Sequence, residues 1–265
     1  MAKILRIFIF IVLIIIPIVF YSSLNKSGDH SKSLLDLGKD QPSLKPSIAL
    51  IFDDLGGSLT ELREIYSLDI PLTVSIIPNL KFSKNIAHIA SRCGFSVFIH
   101  LPMEPKKSEN YRTDQYRFIS GSLSQRENKS LLRNYLNSIR IAIGVNNHMG
   151  SMATEDRELM SIFVQAVKNK GLIFVDSRTS LDSVAYEIAH RVGLPCGYNE
   201  GFLDAVNDLD HMQKQIDQLL KKAKEKGKII IIAHPRAGTI EFLKQRVAAL
   251  KEEVDFITIK EYFKP

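Results

Sequence analysis

The chain has 265 residues, 45% hydrophobic and 24% charged, with a formal net charge of +6. That is ordinary globular usage, enough to bury a large core, and the length is normal for one α/β barrel. Six Lys/Arg against three Asp in the first 45 residues leave only +3 for the rest, which argues against a nucleic-acid partner.

Lys3 and Arg6 precede an apolar run from Ile7 to Tyr21, broken only by Pro17. A positive start followed by such a run reads as an export signal, and extended over residues 4–24 it reaches the length of a membrane span. No A-x-A-like cleavage site follows, so an uncleaved signal-anchor (residues 1–24) is the first reading, with the domain on the extracytoplasmic side. A cleaved signal peptide is the alternative. Residues 25–46 are rich in Ser, Lys, Asp and Gly and carry Pro42 and Pro46, the composition of a flexible tether. The folded domain is expected over 47–265.

From there two patterns alternate. Short β-branched runs are Ser47–Phe52, Leu72–Ile77, Phe95–Ile99, Gly144–Asn147, Leu172–Val175, Pro195–Tyr198, Lys228–Ala233 and Phe256–Ile259. Between them lie helical periods at Leu59–Leu68, Ser83–Cys93, Arg126–Ile143, Glu155–Lys170, Ser183–Val192, Leu209–Lys226 and Ile240–Glu252. Ser124 with Glu127 matches a capping box, and Gly94, Gly171, Gly193 and Gly227 stand where helices end on a left-handed residue. The Lys-rich stretch from Lys221 to Lys228 reads as a solvated helix face. Cys93 and Cys196, without a CxxC spacing, read as two half-buried free thiols, with a disulfide in an oxidising compartment as the alternative. Near-continuous apolar strands imply a parallel sheet covered by helices.

Polar residues stand just past the carboxyl ends of most strands: Asp53-Asp54, His100, His148, Asp176 with Arg178, Asp204 and His234. An open sheet gathers ligands at one switch point, whereas a barrel brings every strand end to one face. Groups spread over six strands therefore favour a distorted (β/α) barrel of seven or eight parallel strands. His30 falls in the tether, and His88, His190 and His211 fall within helices, where surface or packing roles suffice. His100, His148 and His234 end strands on the face where these polar residues gather, beside an Asp pair whose neighbouring carboxylates point in different directions along a strand. One Asp of that pair with two of the His would supply three ligands with one position open, as in a catalytic rather than a structural zinc site. Asn146-Asn147 beside His148 offer amide donors for a substrate or an outer-shell group, and Asp176 with Arg178 reads as a buried ion pair.

Taken in order, Ala-Leu-Ile-Phe-Asp53-Asp54, His100-Leu-Pro-Met-Glu104-Pro, Asn146-Asn-His148-Met-Gly-Ser, Phe174-Val-Asp176-Ser-Arg178-Thr, Phe202-Leu-Asp204 and Ala233-His234-Pro resemble the divergent polysaccharide deacetylase family. That family is a distant branch of the NodB-type carbohydrate esterases, and the resemblance spans about residues 47–263. It implies a NodB-like barrel, a divalent metal (usually zinc), and removal of N-acetyl groups from an amino-sugar polymer of the cell envelope. By position, Asp53 matches the family's catalytic base, Asp54 its metal-binding Asp, His100 the first ligand His, and His234 the acid that protonates the departing amine. Asp176 and Arg178 would tune these groups, with Asp204 beside them. Two departures stand out. The usual second His, four residues after the first, is here Glu104, so the ligand falls to His148 with Glu104 as rival. The Arg-Pro-Tyr element of the oxyanion hole is missing, leaving Asn147 or a backbone N–H to replace it. The alternative reading is a catalytically lapsed barrel that binds envelope polysaccharide or acts as a scaffold.

Overall fold

The computed structural model describes residues 45–106 and 116–264; the expected signal-anchor and the tether up to residue 44 lie outside them. In chain order the elements are β1 Ser47–Leu55, α1 Leu59–Tyr66, β2 Thr73–Ile76, α2 Ser83–Arg92, β3 Ser96–Met103, α3 Gln125–Ser138 and β4 Gly144–Met149. A short 3₁₀ turn at Ala153–Glu155 leads to α4 Arg157–Asn169, β5 Ile173–Asp176, α5 Ala185–Arg191, β6 Cys196–Tyr198, α6 Leu209–Lys226, β7 Lys228–Ala233, α7 Ala237–Glu253, β8 Asp255–Ile257 and α8 Ile259–Tyr262. All eight expected strands are present.

The sheet runs β6-β5-β4-β3-β2-β1-β7, every pair parallel, and β8 joins β1. Because β7 occupies one edge of β1 from Ser47 to Phe52, β8 and β2 share the other edge, β8 at Ser47–Ala49 and β2 from Ile51 onward. The chain after β6 then turns onto β7: Glu200 N–H donates to Ile230 O at 2.8 Å and Leu203 N–H to Ile232 O at 2.8 Å. The sheet thus nearly closes on itself as a distorted (β/α) barrel.

Alternation along the strands sorts two apolar layers. Ile48, Leu50 and Phe52 of β1 and Val97 and Ile99 of β3 face the helices in the main core. Ala49, Ile51, Phe98, Val175, Ile230 and Ile232 face inward and, with Ile259, plug the barrel. Gly144 makes room for that plug, since a Cβ there would lie 2.2 Å from the Phe98 ring. One step of two residues above the plug, the inward positions turn polar: Ile51 gives way to Asp53, Phe98 to His100, Gly144 to Asn146, Val175 to Ser177 and Ile232 to His234.

The expected capping box forms, with both of its bonds, between Ser124 and Glu127; α1 is capped by Ser58, which accepts from Thr60 N–H. The four helix-ending glycines all take positive φ, from 66° at Gly171 to 85° at Gly94. Two boundaries differ from the sequence reading. α3 stops at Ser138 rather than near Ile143, because Ile143 N–H already bonds Val97 O of β3 and the chain must turn first. The last strand stops at Ile257, because Thr258 caps α8 in a box with Glu261. Cys93 and Cys196 are free thiols. Lys224 and Lys226 pair with Glu253 and Glu200 on the protein's own surface, as a solvated face would. Among the described residues no helix is long and apolar enough to cross a membrane.

Candidate active site

Three strands run two to four residues past their expected ends, which puts Asp53 and Asp54 within β1, His100 within β3 and His148 within β4, while His234 follows the end of β7. Regular alternation would send Asp54 away from Asp53. Instead the β1–β2 register slips between Phe52 and Leu55, and Asp54 takes φ 64°. That irregularity turns both carboxylates toward the same imidazole: His100 Nε2 lies 3.1 Å from Asp54 Oδ1 and 3.6 Å from Asp53 Oδ2. The expected divergence of the two side chains is corrected here, because the backbone does not stay extended through Asp54.

Asp54 Oδ1 also lies 2.9 Å from His148 Nδ1. Among the described residues these three, Asp54, His100 and His148, bring one ligand atom each to within 4.8 Å of one another. Asp54 Oδ1 is buried yet has no well-aligned hydrogen bond. An orphaned buried carboxylate oxygen facing two imidazole nitrogens leaves three electron-pair donors aimed at one point, which fits a divalent cation. Burial works against ionisation of Asp54, but the His100 and His148 imidazoles outweigh it and hold its carboxyl well below the usual range. Asp53 is fully buried and accepts from the Asn146 amide rather than from a cation; burial pushes its carboxyl up to about 6.

His234 enters from the end of β7 with Nε2 3.9 Å from Asp54 Oδ2. Its position is fixed by Asp204, which is fully buried: Oδ1 meets His234 Nδ1 at 2.9 Å, and Oδ2 accepts His234 N–H at 3.0 Å and the Thr239 hydroxyl at 2.8 Å. Burial alone would lower the basicity of His234, but its bond to Asp204 and the nearby Asp54 carboxylate raise it. Phe202 stacks on the imidazole at 5.9 Å between centroids. Asp53, Asp54, His100, His148, Ser177 and His234 thus share the walls of one cleft of about 390 Å³.

The other sequence candidates fall elsewhere. Asp176 is one residue out of phase with the inward positions. Its carboxylate accepts from the Ser183 hydroxyl, Arg178 N–H and Tyr186 N–H, so it anchors the loop before α5 and touches neither Asp53 nor His234. Arg178 pairs with Asp176 at 3.5 Å and lies over the Tyr198 ring at 4.8 Å, which removes it from the reacting groups. Asn147 borders the cleft, but its amide bonds Met149 O and Thr179 Oγ1 and accepts Ser177 N–H. It therefore has no spare donor for an oxyanion. Glu104 accepts the Ser120 hydroxyl at 2.6 Å and lies outside the Asp54, His100 and His148 group, which contains its rival His148. Asn146, which the sequence reading offered as an amide donor together with Asn147, is the one of the two that bonds Asp53 and Ser177. Two residues that sequence reasoning did not single out belong here: Ser177 and Tyr116, whose hydroxyl lies 2.7 Å from His148 Nε2. The phase of the inner apolar residues could have revealed Ser177; Tyr116 lies on a loop that carries no periodic signal.

Comparison with known proteins agrees with the geometry. Residues 50–263 match the family described as divergent polysaccharide deacetylase. An uncharacterized protein of Haemophilus influenzae is 33% identical over 210 residues, covering 79% of this chain and 74% of its own length. The uncharacterized protein YibQ of Escherichia coli is 27% identical over 221 residues, covering 83% and 68%. The crystal structure of an uncharacterized protein from Agrobacterium tumefaciens shares the fold with a TM-score of 0.75 at 19% identity, covering 84% of this chain and 91% of that one. With a family match over most of its length and a barrel of the expected kind, this chain belongs to the divergent polysaccharide deacetylase family.

Proposed function

We propose that the protein is a metal-dependent hydrolase that removes N-acetyl groups from an amino-sugar polysaccharide of the cell envelope. One observation carries the reading: an Asp-His-His ligand set, a buried carboxylate and a carboxylate-held imidazole converge on one cleft, in a chain of a deacetylase family. Asp54, His100 and His148 would hold a divalent cation, and their mixed nitrogen and oxygen donors suit zinc. The cation would supply a Lewis acid for the amide carbonyl and for the attacking water. Asp53 would take the proton from that water. Its burial, which raises its affinity for a proton toward the neutral range, suits a general base. His234, across the cleft and steadied by Asp204, would deliver a proton to the departing amine. An amine leaves poorly as its anion, so an acid on the leaving-group side is a requirement of the chemistry.

The same reading places the domain outside the cytoplasm, with residues 4–24 as membrane anchor and residues 25–46 as tether, because an envelope polymer is reached only there. Metal analysis of the purified protein, paired with acetate release from chitooligosaccharides and peptidoglycan fragments, tests it. The expected result is about one zinc per chain and acetate release in the wild type, with both lost in His148→Ala. A wild type with neither metal nor acetate release would overturn the proposal and leave the lapsed, polysaccharide-binding barrel.

A further inference from the structure

Asn146 is fully buried, and every polar atom of its side chain is in use. Its amide nitrogen donates to Asp53 Oδ1 at 2.9 Å, to Asp53 Oδ2 at 3.0 Å and to Ser177 Oγ at 3.0 Å. Its carbonyl oxygen accepts from the Ser75 hydroxyl and faces His100 Nδ1 at 3.1 Å. The orientation of the amide is dictated by its neighbours. An ionised carboxylate only accepts, so the NH₂ end must face Asp53 and the carbonyl end must face His100. A carbonyl also only accepts, so the ring nitrogen opposite it must carry a hydrogen. In the neutral imidazole, the form that binds a metal, that leaves Nε2 with its lone pair free, and Nε2 is the atom 3.1 Å from Asp54 Oδ1.

We propose that Asn146 is a positioning residue serving both halves of the site, its NH₂ fixing the Asp53 carboxylate and its carbonyl fixing the tautomer of His100 so that Nε2 is the ligand atom. This rests on the reading of Asp54, His100 and His148 as metal ligands. Ligand imidazoles usually have their second nitrogen held by a carboxylate or a backbone carbonyl. Here a side-chain amide takes that place, and through it the base and the ligand share one support. Tyr116 stands in the matching position on His148: its hydroxyl faces Nε2, which leaves Nδ1 toward Asp54. The two imidazoles would therefore bind through different nitrogens.

Two substitutions separate the two functions of the amide. Asn146→Ala removes both, and zinc affinity, read by competition with a chelating dye, is expected to fall about ten- to a hundredfold. Asn146→Asp keeps an acceptor for His100 but sets a second carboxylate against Asp53. Zinc affinity should then stay within about threefold of wild type while acetate release falls about a hundredfold. Cadmium-loaded wild-type protein with labelled imidazole nitrogens gives a reading that needs no variant: cadmium–nitrogen coupling at His100 Nε2 and His148 Nδ1. Coupling at His100 Nδ1, wild-type zinc affinity in a folded Asn146→Ala, or wild-type turnover in Asn146→Asp would each overturn the role of Asn146. Failure of the wild type to bind zinc or cadmium at all would instead remove the metal reading, and this inference with it. If Asn146→Ala does not fold, the cadmium spectrum and Asn146→Asp decide.

Discussion

Replacing Asp204 by Asn removes one charge from a group that touches none of the proposed ligands. The Asp204 carboxylate gathers three donors, from the His234 ring, the His234 backbone and the Thr239 hydroxyl, at 2.8 to 3.0 Å. An amide has one acceptor oxygen. If that oxygen keeps the two donors on the Oδ2 side, the NH₂ group faces His234 Nδ1, which must then accept and can no longer be held as a charged acid. A hydrogen bond to a charged group contributes about 1.5–3 kcal/mol, so roughly that much stabilisation of the protonated imidazole is lost. At 1.36 kcal/mol per factor of ten, kcat for acetate release should fall about ten- to a hundredfold. KM should change little, because the lost interaction is with the proton donor and not with the bound substrate. Bound zinc should equal wild type, which separates the effect from damage to the ligand set. Wild-type kcat in a folded Asp204→Asn variant would refute the role of His234 as the acid. A proportionate loss of zinc would refute the separation of the acid from the metal centre.

Glu104→Gln should leave zinc content unchanged, since Glu104 is held by Ser120 outside the ligand cluster; loss of metal by elemental analysis would restore it as a ligand. Gly144→Ala places a methyl 2.2 Å from the Phe98 ring in a filled plug, and overpacking of this kind destabilises by about 1–3 kcal/mol or more. At about 2–4 °C per kcal/mol for a domain of this size, a melting point within 1 °C of wild type would contradict the packing described for the plug. Glu127 is exposed at the start of α3, and its bonds to the Ser124 side chain and backbone, with Arg117 beside it, hold its carboxyl down to about 2. A depressed folded value means stability that is present above the unfolded value of about 4.3 and lost as the pH falls toward about 2. The melting-point gap between wild type and Glu127→Gln should therefore narrow over that window in a pH series, and a gap that widens would contradict the capping box.

The strands were legible because each is a short apolar run closed by a helix cap or a glycine, and both signals act locally. His100, His148 and His234 were legible because a polar residue among apolar strand residues has few structural reasons to be there. What a pattern of strand ends cannot give is phase. Asn146 and Asn147 are adjacent and chemically identical, yet only Asn146 falls two residues above Gly144 and faces inward. Asp176 is excluded by the same count, since Val175 belongs to the inner plug and Ser177 follows it at the correct interval. Asp54 obeys no count, because a slip in register and a positive φ turn it inward. Tyr116 reaches His148 from a loop, where tertiary placement alone decides the partner.

The residues that phase excludes still shape the cleft, through the backbone. Non-glycine residues rarely take positive φ, at a cost of about 1–2 kcal/mol each, yet Asp54, Met149 and Arg178 all do so at or just beyond the ends of β1, β4 and β5. Such strain persists only where surrounding bonds over-determine it. Met149 O is held by the Asn147 amide at 2.7 Å and by the Thr179 hydroxyl at 2.9 Å. Arg178 N–H is held by Asp176 Oδ1 at 2.9 Å. Asn147 and Asp176 thus fasten the turns that carry the chain away from His148 and Ser177. The inward-facing polar residues present their side chains to the cleft, and the outward-facing ones bend the main chain around it. A substitution at Asn147 or Asp176 would act on the site by relaxing those turns, so its effect should track loss of local order rather than loss of a contact with substrate or metal.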